Sequence, residues 1–141
     1  MERAEIKNVE TPDEVREIPN GRLELVNVAG RTIGRAIFNP GWKWSLHVKP
    51  AVKTTSCEAP HFQYQISGRM KIVMDDGTEF ISKAGDVMNI PSGHDAWVAG
   101  DEPVVVVDFQ GFVDYAEPRK QLSGRTGPAR SRRRSRRRRG A

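Results

Sequence analysis

Hydrophobic and polar residues alternate in short stretches between residues 20 and 110, and turn residues interrupt these stretches about every eight to twelve positions. Alternation with a period of two is typical of strands that bury one face. Residues 11–18 are the one stretch predicted as a helix, with Thr11 as its cap and Pro12 at its first position. The predicted strands are Arg22–Val28, Thr32–Phe38, Lys43–Val48, His61–Ile66, Met70–Met74, Thr78–Ser82, Asp86–Ile90, Ala96–Val98 and Val104–Phe109. The pattern therefore predicts an all-β sandwich or barrel.

The same alternation predicts which side chains share a face. Residues 61–66 carry an apolar set and a polar set, namely Phe62, Tyr64 and Ile66 against His61, Gln63 and Gln65. In residues 70–74 the apolar stripe is Met70, Ile72 and Met74. Valines 104–107 are continuous, as in a strand covered on both sides. Asp76-Gly77 separates two alternating stretches and predicts a tight hairpin.

Composition narrows the class of protein. The 141 residues suit one domain, and a hydrophobic content of 37% allows an economical core. No stretch approaches the roughly 20 apolar residues of a membrane span, and the first seven residues are too polar for a signal peptide. Cys57 is the single cysteine, which excludes an internal disulfide and a four-cysteine zinc site. We therefore expect a cytoplasmic protein.

Charge divides the chain into two parts. Residues 119–141 contain 11 bases and no acid, which leaves 12 bases against 18 acids, a net charge of −6, in residues 1–118. The tail has almost no apolar surface, so we expect it to be disordered. Its arginine run would attract nucleic acid or other polyanions weakly and without sequence preference. A solubilising tail, or one with no selected role, is the simpler interpretation. The predicted organisation is an N-terminal extension (1–19), a β-barrel domain (20–118) and a basic tail (119–141).

Motifs between residues 57 and 97 carry the chemistry. They are Cys57-Glu58-Ala59-Pro60-His61, Gly68, Gly85-Asp86 and Pro91-Ser92-Gly93-His94. Their order and spacing resemble the cupin superfamily over about residues 32–110, and the phrases around Trp42 and Trp97 are similar to small single-domain bacterial cupins (type 2, RmlC-like). The resemblance implies a double-stranded β-helix, or jelly-roll barrel, whose two motifs lie on facing strand pairs.

The sequence departs from the cupin pattern at the metal positions. In the first cupin motif, His-x-His precedes a glutamate that lies seven residues before the glycine. Counting back from Gly68 gives His61 at the glutamate position, with Thr55 and Cys57 at the histidine positions. The histidine expected in the second motif is replaced by Ala96.

A different set of ligands is nevertheless available. His94 lies two residues before Ala96, so in an extended strand it points to the same face. Cys57, His61 and His94 are therefore the candidate metal ligands, and their donor types favour zinc or iron over magnesium or calcium. Three ligands leave a position open. Glu58 is a substitute ligand, although its side chain has the opposite parity to Cys57.

Each of these residues also has a structural interpretation. Cys57 could be a small buried hydrophobic residue, and His61 could face solvent. His94 could form a hydrogen bond within its turn or with Asp95. Asp95 either orients His94 from behind or caps the turn. His47 is expected to be simply exposed.

A small organic ligand would need a pocket beside the metal. Gln63, Tyr64 and Trp97 are the candidate substrate-binding residues, because Gln63 and Gln65 share the face of His61 and the aromatic rings can form a wall. Trp42 and Trp44 are further wall residues. In a domain of this size, such aromatic side chains more often belong to an ordinary core.

Three functions remain open at this stage. The first is a metal-dependent cupin enzyme of oxygenase or isomerase type, with catalytic residues unknown. The second is a non-catalytic small-molecule or metal-binding module, such as a sensor, and the incomplete cupin ligand set favours it over an oxygenase. The third is a scaffold that presents the arginine-rich tail to nucleic acid. The resemblance also implies a homodimer, formed through the strand that holds Ile33, Ile37 and Phe38.

Overall fold

The computed structural model of the protein describes residues 3–112, which form nine strands and two short helices. The strands are β1 (Glu14–Ile18), β2 (Gly21–Val28), β3 (Arg31–Phe38), β4 (His61–Ser67), β5 (Arg69–Met74), β6 (Glu79–Lys83), β7 (Val87–Ile90), β8 (His94–Val98) and β9 (Val104–Asp108). The helices α1 (Trp44–His47) and α2 (Lys49–Val52) follow β3. The tail predicted for residues 119–141, and the last residues of the predicted barrel domain, lie outside this range.

The strands form two antiparallel sheets around one core. The larger sheet has the order β1-β2-β3-β9-β4-β7, and the smaller has the order β6-β5-β8. Leu23, Ala36 and Val106 of the larger sheet belong to the same buried cluster as Ile72 and Met70 of the smaller one. This arrangement confirms the predicted all-β, jelly-roll-like fold.

Residues 14–18 form a strand, so the helix predicted over residues 11–18 is wrong. β1 pairs with β2 along its whole length, from Glu14 opposite Leu25 to Ile18 opposite Gly21. One or two isolated helical turns gain few hydrogen bonds for the backbone order they require. Pairing with β2 instead provides a complete ladder, and this long-range pairing overrides the local capping signal.

The strand predicted over residues 43–48 is also wrong, because α1 occupies this segment. Trp44 and Val48, four residues apart, are both 2% exposed, which is the spacing of one helix face. Asp95 Oδ1 accepts the backbone N–H of Ser45 at 3.1 Å, so a partner from β8 satisfies one of the first N–H groups of the helix. The alternation of Trp42 and Trp44 with polar residues suggested a strand and hid the four-residue helical spacing of Trp44 and Val48.

The predicted Asp76-Gly77 hairpin is confirmed. β5 and β6 pair antiparallel, the N–H of Gly77 donates to the Met74 carbonyl at 2.9 Å, and Gly77 has a φ of 91°. The hairpin holds the smaller sheet in register, so the inward Met70 and Ile72 stripe is buried as predicted.

β4 turns its polar side chains towards the core. His61, Gln63 and Gln65 are at most 5% exposed, whereas the apolar side chains on the opposite face are 44–49% exposed, namely Phe62, Tyr64 and Ile66. Of the two interpretations of His61, the structure therefore selects the interior one. The consequence is a row of polar groups inside the jelly roll.

The strand expected to form a dimer interface is only partly available. Phe38 is 3% exposed and stacks on Trp42 with ring centroids 4.0 Å apart, while Ile33 and Ile37 are half-buried. Phe38 therefore belongs to the core, and the homodimer stays a prediction. None of the helices within residues 3–112 is long and apolar enough to cross a membrane.

Candidate metal centre

The structure brings Cys57, His61 and His94 together in the interior. One donor atom from each residue lies within 4.8 Å of the others, and the three residues are 3%, 5% and 3% exposed. They come from different parts of the fold: a loop, the first residue of β4 in the larger sheet, and the first residue of β8 in the smaller sheet. The predicted grouping is therefore present, and its role as a ligand set stays a proposal.

Backbone pairing holds Cys57 in place. The N–H of Cys57 donates to the His94 carbonyl at 2.7 Å, and the N–H of His94 donates back to the Cys57 carbonyl at 3.2 Å. This isolated antiparallel bridge fixes the loop against the start of β8. A residue 37 positions away in sequence is thus a direct neighbour of His94.

Hydrogen bonds define the orientation of both imidazoles. His61 Nδ1 lies 2.5 Å from Asp108 Oδ2, and His94 Nδ1 lies 2.9 Å from the Pro91 carbonyl. A carboxylate and a carbonyl accept, so each Nδ1 carries a hydrogen, and Nε2 is the atom through which each ring would bind a metal. This tautomer is the one that a metal-binding histidine adopts when a second group orients it.

Asp108 is a site residue that the sequence did not reveal. It is 1% exposed, and its Oδ1 also accepts the backbone N–H groups of Gln110 and Gly111, at 2.8 and 3.1 Å. Burial alone would raise the pKa of Asp108, but the hydrogen bond and charge of His61, with these N–H groups, lower it below its ordinary value. The ionised carboxylate thus remains available to orient His61.

Burial also governs the protonation of the other two groups. It lowers the pKa of His94 to about 4, with repulsion from His61 adding to the effect, and it raises the pKa of the Cys57 thiol to about 12. At neutral pH His94 is therefore neutral and ready to bind a cation. The thiol keeps its proton until a cation replaces it, so metal binding would release that proton.

The donor set fits a divalent transition metal. Zinc accepts thiolate and imidazole at about 2.0–2.3 Å, and small inward movements of three neighbouring side chains would bring their donors to one ion. The neutral His94 imidazole and the neutral Cys57 thiol add no positive charge that would oppose the ion. Glu58 is exposed, so it is not part of this buried group.

A small cavity adjoins the two histidines. Its volume of about 20 Å³ has room for one or two water molecules. The lining residues are mostly apolar: Phe38, Trp42, Trp44, His61, Gln63, Met70, Ile72, Ile90, His94, Ala96 and Phe112. A ligand in this space would lie directly beside the candidate centre.

The other predicted site residues lie in different places. Gln63 lines the cavity as expected, but Tyr64 lies on the outer face of β4 and is 44% exposed. Trp97 lies on the opposite face of β8 from the cavity, where its ring contacts the Lys43 ammonium at 4.6 Å. Asp95 binds the N–H groups of Ser45 and Ala96. Because side chains alternate along β4 and β8, Tyr64 and Trp97 point away from the cavity. Asp108, rather than Asp95, is the carboxylate that orients a candidate ligand, and that ligand is His61 rather than His94.

Comparison with known proteins identifies the fold. No family model matches the sequence, and no curated protein is detectably similar to it. A protein of unknown function from Rhizobium leguminosarum bv. viciae is similar in structure, with a TM-score of 0.57 and 15% identity over 77% of this chain and 97% of that one.

Two oxalate decarboxylases are also similar in structure. The Lactobacillus farciminis enzyme gives a TM-score of 0.53 with 19% identity over 82% of this chain, and a single-residue variant of the Bacillus subtilis enzyme gives 0.50 with 25% identity over 70%. The matched regions span only 39% and 28% of those enzymes. Together with the sheet topology, these likenesses show that the chain has a cupin-like fold.

Proposed function

We propose that the protein binds one divalent transition-metal ion through Cys57, His61 and His94, and a small molecule in the adjoining cavity. The observation that carries the proposal is the convergence of three buried donors, all within 4.8 Å of one another, from a loop and both sheets. Thiolate and imidazole are donor types that a divalent transition metal accepts. The chain would then contain a small cupin domain with an unusual ligand set.

Zinc and iron suit this centre best. A thiolate is a soft ligand, imidazole suits both metals, and three protein ligands leave a position open to a small molecule. A bound ion would act there as a Lewis acid towards its ligand. The chain contributes orientation: Asp108 fixes His61, the Pro91 carbonyl fixes His94, and the apolar wall limits the access of water.

The cavity lining supports binding more strongly than turnover. Among the residues that line it in the described range, only His61 and His94 have ionisable side chains, and both are proposed metal ligands. No carboxylate, lysine or tyrosine of this lining is available as a general acid or base. We therefore favour a binding or sensing module over a proton-transfer enzyme.

Elemental analysis tests the metal proposal. Protein purified without a histidine tag, and reconstituted with zinc or ferrous iron, should hold about one equivalent. His61→Ala and His94→Ala should each reduce the bound metal strongly, whereas His47→Ala, which removes a histidine outside the buried group, should leave it unchanged. Less than about a tenth of an equivalent in the reconstituted wild type would refute the proposal.

Cobalt substitution tests the thiolate separately. Cobalt(II) bound to Cys57 should show a thiolate-to-metal charge-transfer band, because the sulfur is a direct ligand. Cys57→Ser should remove the band while preserving the volume of the side chain. A cobalt-loaded wild type without the band would exclude Cys57 from the ligand set.

A further inference from the structure

Two polar side chains line the cavity without a hydrogen-bond partner among residues 3–112. Trp42 is 2% exposed, and its buried Nε1 has no acceptor within this range. Gln63 is 4% exposed, and no hydrogen bond of its amide occurs in the described structure. Buried polar groups are normally paired, so Trp42 Nε1 indicates a partner from outside residues 3–112, and the Gln63 amide is available to the same partner.

The indole of Trp42 is held in a defined position. Its ring stacks on Phe38 at 4.0 Å, its backbone N–H donates to the Asn39 carbonyl at 2.9 Å, and its carbonyl accepts from Val98 at 3.0 Å. The ring therefore has little freedom to turn and find another acceptor. Leaving such an N–H unpaired costs more than an average hydrogen bond contributes.

Gln63 differs from its neighbour on the same face of β4. Gln65 is fully used by the fold: its Oε1 accepts from the Ser82 hydroxyl at 2.5 Å, and its Nε2 donates to the carbonyls of Ser67 and Gly68 at 3.2 and 2.8 Å. Gln63 lies between Gln65 and His61 and lines the cavity. The fold thus accounts for one inward glutamine and leaves the other for a ligand.

We propose that Trp42 Nε1–H and the Gln63 amide form a subsite for a small oxyanion beside the metal. This inference rests on the proposed function, because the bound ion supplies the positive charge that attracts the anion. The indole offers a donor alone, so it requires an acceptor atom on the ligand. An oxygen of the anion meets that requirement, and the Gln63 Nε2 group can bind the same ligand.

The cavity also limits the size of the ligand. With about 20 Å³ beside the histidines, the cavity can enclose only a few non-hydrogen atoms of a ligand. Apart from the histidines, Trp42 and Gln63, the lining is apolar, so a polyhydroxylated sugar or a nucleotide would leave its polar groups unpaired. The ligand class is therefore a small carboxylate or a similar oxyanion.

Nuclear magnetic resonance of the tryptophan side chains tests the subsite with formate as the probe. The sequence has three tryptophans, so three indole N–H signals are expected, and Trp42→Phe assigns one of them. Addition of formate to the zinc-loaded protein should move the Trp42 signal to a larger extent than the other two. Benzoate, which exceeds the cavity, should not produce this shift.

Affinity measurements complete the test. Trp42→Phe and Gln63→Met should each weaken formate binding at least about tenfold, because each removes a buried hydrogen bond to a charged ligand. Trp97→Phe is the matched control and should leave the affinity unchanged. If Trp42→Phe does not fold, Trp97→Phe and Trp44→Phe assign the Trp42 signal by elimination.

The zinc content of every variant separates the two proposals. Absence of bound zinc in the wild type would overturn both the metal centre and the subsite. The subsite alone would be overturned if the protein held zinc normally and bound formate, but formate did not move the Trp42 signal and its affinity did not depend on Trp42 and Gln63.

Discussion

Asp108 is the residue through which the chain controls a candidate ligand without belonging to the ligand set. Asp108→Asn should weaken zinc binding about 10–100-fold, because the neutral amide orients His61 less firmly and reduces its basicity. Competition with a chelator of known affinity would measure the change. Asp95→Asn is the control, since Asp95 binds backbone N–H groups at α1 and β8. Equal affinities for wild type and Asp108→Asn would contradict the assigned role.

The buried His94 imidazole should make the metal-free protein less stable in acid. Its pKa is about 4 in the folded state, mainly through burial, against 6.5 for the free side chain. Between these values the unfolded chain binds one more proton, so the free energy of unfolding should fall by up to about 1.4 kcal/mol per pH unit as pH decreases. Urea unfolding with a chelator present would show this slope. His94→Gln should be less pH-dependent over the same range, and an unchanged slope would contradict the prediction.

The buried Cys57 thiol should make the metal-free protein less stable in base. Burial raises the pKa of its thiol to about 12, against 9.0 when unfolded. Above pH 9 the unfolded state releases the proton first, so the free energy of unfolding should decrease as pH rises towards 12. Cys57→Ser should show a smaller decrease in the same unfolding measurements. Identical curves for the two proteins would indicate a thiol that titrates normally.

Sequence reasoning predicted some of these residues and missed others for a definite reason. Cys57, His61 and His94 were accessible because motif spacing and strand parity place them on related faces. Asp108 was not, because its contact with His61 requires β9 to lie beside β4, where Gln63 is opposite Asp108. The sequence did offer one indication, because Asp108 follows a run of four valines. A carboxylate buried at the end of such a strand is costly unless it has a partner.

At the scale of elements, the alternation of hydrophobic and polar residues predicted where strands lie better than it predicted which face of a strand is buried. The strands that pair with close sequence neighbours, such as β5 and β6, appeared where expected. The polar face of β4 lies inside, because burial of Gln65 is compensated by its hydrogen bonds and burial of His61 by Asp108. Such compensation depends on groups distant in sequence, so hydrophobicity alone assigns neither face.

The turn after β9 packs directly on the candidate centre. A Cβ added at Gly111 would overlap the Pro60 carbonyl oxygen and would lie 2.6 Å from His61 Nδ1, so the turn or the ring would have to move. Gly111→Ala should destabilise the fold by about 1–3 kcal/mol and weaken zinc binding. Urea unfolding and chelator competition would measure the two effects.

Gly100→Ala is the matched control for this steric prediction. The nearest atom to its added Cβ would be Arg69 Nη2 at 3.5 Å, an ordinary contact with a flexible side chain. Its stability and zinc affinity should remain close to those of the wild type. Two variants with equal effects would show that the close approach at Gly111 is tolerated.

At the scale of the whole molecule, charge separates the chain into an acidic part and a basic end. Residues 1–118 carry a net charge of −6 and residues 119–141 carry +11. Removal of residues 119–141 should therefore abolish binding to a single-stranded RNA oligonucleotide and leave the melting temperature nearly unchanged. Full-length protein should bind it with a steep salt dependence. Equal RNA binding by the truncated protein would exclude the tail as the binding element.

The candidate ligands are distributed over both sheets, with His61 on β4 in one and His94 on β8 in the other. An ion held between them would act as a cross-link through the middle of the sandwich, and it would be absent from the unfolded chain. Folding would then depend on the free-ion concentration: a thousandfold excess over the dissociation constant adds about 4 kcal/mol. Metal starvation of the cell would thus lower the amount of intact protein before any regulator acted on it.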